Sequence, residues 1–104
     1  MKQKEIEELK NWREELDSEI NELEDELKNI EEELERIKVR HSLANKAYRR
    51  SNDEFLNEEY LKPLYQELQD LQQKLDRKTV ENRKKVYALN SLIDNIDTKI
   101  KVNL

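Results

Sequence analysis

The chain has 104 residues, 43% charged and 35% hydrophobic, with a net charge of −5, no Gly, no Cys and one Pro. That length holds one domain, 1–104; the missing Cys excludes a disulfide framework or thiolate metal site, and no run nears the roughly 18 apolar residues of a membrane span. MKQKEIEELK lacks the apolar centre of a signal peptide, so the expectation is a soluble, cytoplasmic protein with no membrane partner.

The first element is a long helix over 2–50. From Ile6 the seam positions step by three and four, apolar except for Arg13: Ile6, Leu9, Arg13, Leu16, Ile20, Leu23, Leu27, Ile30, Leu34, Ile37. This is a heptad seam, the pattern that lets one helix wind along another. Past Ile37 it continues as His41, Ala44, Tyr48, Ser51 and Phe55, a weaker set. Glu and Lys, both good helix formers, fill the other faces.

A turn follows at 51–53. Ser51 with Glu54 has the spacing of a capping box, and Ser-Asn-Asp is turn chemistry. A second helix is expected over 53–102. Pro63 lies inside it and removes one backbone donor, so a kink is expected near 59–63. The less favoured alternative has a short helix or loop at 51–62 and a long helix starting at Pro63.

The second seam runs Leu61, Leu64, Leu68, Leu71, Leu75, Thr79, Asn82, Val86, Leu89, Ile93, Ile96, Ile100. The extra step of four at Leu75 to Thr79 is a stutter, which locally unwinds a supercoil. The expected fold is all-α: a long antiparallel two-helix coiled-coil hairpin. Residue i should face 103 − i, which sets Ile37 against Leu64 and Leu68, Leu16 against Val86 and Leu89, and Leu23 against Val80.

Charge blocks agree with that topology. Segment 1–35 sums to −10, 36–50 to +6, 51–76 to −5, 77–86 to +4, and the rest to zero. Folding the hairpin sets 36–50 against acidic 53–67, and Arg77 to Lys85 against acidic 17–26. A parallel in-register dimer would stack −10 on −10. The basic run is therefore read first as internal counter-charge. Nucleic-acid contact through Arg40, Lys46, Tyr48, Arg49 and Arg50 is the weaker alternative.

No residue pattern points to catalysis. There is no Gly-rich phosphate loop and no nucleophile beside a base. Two helices offer no concave site. His41 has no second His or Cys to share a metal, and the Glu clusters at 22–27 and 31–35 read as solvated faces. The chain is expected not to be an enzyme and to need no cofactor or metal.

Apolar residues off the seams carry more information. Near the turn these are Val39, Leu43, Ala47, Leu56, Tyr60 and Tyr65; near the open end, Trp12, Tyr87, Leu92 and Val102. A two-helix hairpin buries one stripe per helix, so extra stripes imply further packing. The expected function is a protein-binding or scaffolding module, self-associating with a dimer favoured. Partner contacts are expected at Leu43, Arg49, Arg50, Phe55, Leu56 and Tyr60. The alternative is a small acidic inhibitor, of the kind phages encode, that mimics nucleic acid and blocks a basic surface. In shape alone the hairpin resembles prefoldin subunits and the arm of seryl-tRNA synthetase. The secreted hairpins of type VII secretion carry Trp-x-Gly at the turn, where this chain has Arg50-Ser51-Asn52-Asp53.

Overall fold

The computed structural model describes residues 2–103. Helix α1 spans Gln3–Ser51 and α3 spans Lys62–Val102; between them lie a single helical turn, α2 (Glu54–Leu56), and a π-helical turn at Asn57–Leu61. Among the described residues there is no strand. Two long helices run antiparallel as a helical hairpin. No helix among the described residues is long and apolar enough to cross a membrane.

The chain divides into two compact units. One takes the stretch up to Glu26 and the stretch from Thr79; the other is Leu27–Lys78. In the first, Leu16, Ile20, Ile93 and Ile96 are buried, with Leu9, Val86, Leu89 and Ile100 packed around them. In the second, Leu34, Ile37 and Leu71 are buried, with Leu64, Leu68 and Leu75 against them. Both clusters are built from residues of the two seams. Every position of the second seam is buried or half-buried, and so is the first seam from Ile6 to Tyr48. Ser51 and Phe55 depart from it: both are exposed, because α1 ends at Ser51 and no longer presents a face to the other arm.

The turn differs from expectation in its cap. Asp53, not Ser51, caps the second arm, its Oδ1 accepting from the Phe55 N–H at 2.9 Å. Ser51 is still helical; its hydroxyl donates back to the Ala47 carbonyl at 2.9 Å. Glu54, the expected partner of Ser51, instead accepts from the Tyr48 hydroxyl at 3.0 Å. Asn52 closes α1 in the left-handed region, with φ 53°. Asn accepts this conformation more readily than most non-Gly residues, which answers how a Gly-free chain turns here.

The connection is thus two residues, Asn52 and Asp53, and the arms pair about them. Asn82 Nδ2 donates to the Leu23 carbonyl at 3.1 Å. Leu23 therefore faces Asn82 and not Val80, which is 54% exposed. At Leu23 the arms pair two residues beyond the expected 103 − i, in keeping with α1 running one residue further than expected and a shorter loop; nearer the open end Arg13 reaches Asp97.

Ahead of Pro63 the backbone takes the π turn. Pro63 has no N–H to offer the carbonyl of Glu59, and its ring crowds that carbonyl. A π turn widens the helix there: the Lys62 N–H reaches the Asn57 carbonyl, five residues back. The structure comes close to the less favoured alternative: a short helix, Glu54–Leu56, and the π turn precede the long helix, which begins at Lys62, one residue ahead of Pro63.

Candidate interaction groove at the hairpin tip

The side chains left off the seams converge in the second unit. A groove of about 570 Å³ lies between the two arms. Its α1 wall is Arg40, Leu43, Ala44 and Ala47, at helical spacings of three and four. Its other wall is Leu56, Glu59, Tyr60, Pro63, Leu64 and Glu67. Leu43 is 70% exposed and Tyr60 52% exposed. The Phe55 ring meets Tyr60 edge-on, centroids 6.0 Å apart and planes at 68°.

Three of the six residues expected at a partner site line this groove: Leu43, Leu56 and Tyr60. Phe55 touches it only through Tyr60. Arg49 and Arg50 do not line it; they occupy the last turn of α1, where cations suit the negative end of the helix dipole. Of the other apolar residues expected off the seam, Ala47 lines the groove, but Val39 and Tyr65 lie elsewhere. Val39 flanks a smaller depression with Lys38, Ser42, Leu43 and Lys46. Tyr65 lines a third, with His41; their ring centroids are 5.9 Å apart.

Arg40, Glu59, Pro63 and Glu67 were not expected at the site. Their signal was present: 40, 43 and 47 form one flank of the first seam, and 56, 60, 63 and 67 one flank of the second. Reading only apolar residues off the seam hides charged residues on the same flank.

The electrostatics correct the counter-charge expectation. Arg36 pairs with Glu33 and Lys38 with Glu35, at 3.9 and 3.2 Å, both within α1. Lys62 pairs with Glu58 of its own helix, and that bond raises the ammonium pKa above its ordinary value. Glu54 is held by Tyr48 and, at 3.4 Å, by Asn57. Among the described residues, no carboxylate lies within 4.0 Å of Arg40, Lys46, Arg49 or Arg50. Helical neighbours four residues apart are nearer than the opposite arm, and Lys62 takes up Glu58 in that way. Glu59 and Glu67 meet no cation within 4.0 Å among the described residues, so four of the six cations of the basic run stay without an ion pair there. In the other unit Arg13 does cross between arms. Its Nε and Nη2 meet both Asp97 oxygens, at 2.6 and 3.2 Å, and its Nη1 meets Asp17 at 2.7 Å. The Asp97 bond, first, raises the guanidinium pKa.

No group of three His, Cys, Asp or Glu among the described residues is placed to hold a metal ion. The groove offers apolar area rimmed by one cation and two carboxylates. That arrangement has the chemistry to bind a helix face.

What the fold and groove define is a helical hairpin with an open apolar tip. Comparison with family models, curated proteins and solved structures gives no match.

Proposed function

We propose that this protein is a non-enzymatic binding or scaffolding module that joins protein chains through its hairpin tip. The groove carries the proposal. The seams have already used the apolar residues that hold the arms together, yet Leu43 and Tyr60 stand exposed over a second apolar surface. Clustered apolar area of this kind, rimmed by charge, is what protein interfaces use, with aromatic and Arg side chains as anchors.

The competing function, an acidic decoy for a basic nucleic-acid-binding surface, is favoured by the −10 block at 1–35. The two differ in where contact occurs and in how it responds to salt. A photo-reactive side chain in place of Leu43 should give protein adducts that survive 1 M salt, where charges are screened beyond roughly 3 Å. The same group at exposed Glu24 should give none. Adducts only from Glu24, lost in salt, would support the decoy; none from either site would remove the binding reading.

A further inference from the structure

The groove's two walls differ in charge. The α1 wall carries Arg40, with no carboxylate within 4.0 Å among the described residues. The opposite wall carries Glu59 and Glu67, neither of which has a basic partner within that distance among the described residues. An occupant must therefore offer an apolar stripe with acid over α1 and base over the second arm. The protein's own groove has this pattern when turned over.

We propose that the groove is filled by the same groove of a second copy, about a two-fold axis running along the arms with both tips at one end. This rests on the binding function above and names its partner. Rotation about such an axis places α1 of one copy over the second arm of the other. It also preserves level along the arms. His41 is level with Tyr65 within one chain, so Arg40 comes level with Glu67 of the second copy. Leu43 comes over the second copy's Tyr60 and Leu64. Each unlike-charge contact occurs twice, as a two-fold interface requires. The other face-to-face arrangement, with tips at opposite ends, sets α1 on α1 and so basic wall on basic wall.

The exposed area leaves room for a dimer interface. A compact monomer of this mass, 12.7 kDa, exposes roughly 6,200 Å². This chain exposes 8029 Å². The excess is about 1,800 Å², and a standard interface takes about 800 Å² from each partner.

The test uses the full chain and two charge reversals at exposed positions, Arg40→Glu and Glu67→Arg. Light scattering behind a sizing column should give a dimer at micromolar concentration. Each variant alone should dimerise at least tenfold more weakly, with helicity unchanged by circular dichroism. Mixed one to one, the two variants should form a heterodimer of wild-type affinity, since both cross-copy pairs are then acid on base. Interactions within a chain cannot produce that rescue. Spin labels at Arg50→Cys should lie within the width of two helix layers, roughly 20–25 Å. A dimer indifferent to both reversals, or labels far apart, overturns the arrangement. A helical monomer at hundreds of micromolar overturns the second copy as occupant. If Leu43 then still forms adducts with another protein, the binding function stands; if it forms none, both fall.

Discussion

Asn82 Nδ2 donates to the backbone carbonyl of Leu23, 3.1 Å away across the two arms. Asn82 is 1% exposed, and its Oδ1 has no hydrogen-bond partner. A lone polar residue in a coiled-coil seam lowers stability and selects register, because slipping the helices would bury both its groups unpaired. Asn82→Leu should therefore raise stability, since an orphaned buried acceptor costs about 1–3 kcal/mol. It should also admit shifted pairings, seen as doubled amide resonances along α3. Asn82→Asp should destabilise strongly at neutral pH. Burial raises a carboxyl pKa, so that variant's stability should be present in acid and lost as pH rises. Equal urea midpoints for the three proteins would contradict this role.

Register can be measured directly. At high dilution, a short thiol-reactive linker should join Leu23→Cys to Asn82→Cys within one chain. Leu23→Cys with Val80→Cys should not be joined, because Val80 faces solvent. Efficient linkage of the second pair would return the register to 103 − i.

The left-handed Asn52 sets the turn. Asn52→Gly should leave stability unchanged or slightly higher, since Gly adopts positive φ without steric cost. Asn52→Val should lower it by about 1–2 kcal/mol, the cost of a left-handed conformation for a residue with a crowded Cβ. Thermal melts of the two variants check the order.

Tyr48 donates to the Glu54 carboxylate at 3.0 Å, and that bond, followed by the carboxylate's charge, raises the phenol pKa above its ordinary 10.0. The protonated form is the one held in the folded turn. Its contribution is therefore fully present below pH 10 and lost as pH rises through the shifted value. Titration of the Tyr48 ring resonance should show the raised midpoint, and Glu54→Gln should bring it down. An unchanged midpoint in that variant would mean the bond does not form in solution.

Much of this molecule is set locally. With no Gly and one Pro, a chain of Glu, Lys and Leu at heptad spacing has few options but long helices. Periodicity alone therefore named nearly every buried seam position, from Ile6 to Tyr48 and from Leu61 to Ile100. Tertiary structure decided what depends on single residues at the turn. That Ser51 stays in the helix, and that Asn52 and Asp53 make the connection, shifts the pairing by two and brings Asn82 to Leu23. A one-residue difference at a turn is small in local energy, but at Leu23 it decides which residue of the other arm is met. Charge followed the same division. Block sums predicted which segments would face each other. Which carboxylate meets which cation was decided by reach, and i,i+4 neighbours outcompeted the opposite arm for Glu58. Arg40 was left with no carboxylate within 4.0 Å among the described residues, at the rim of a groove that exists only once both arms are in place.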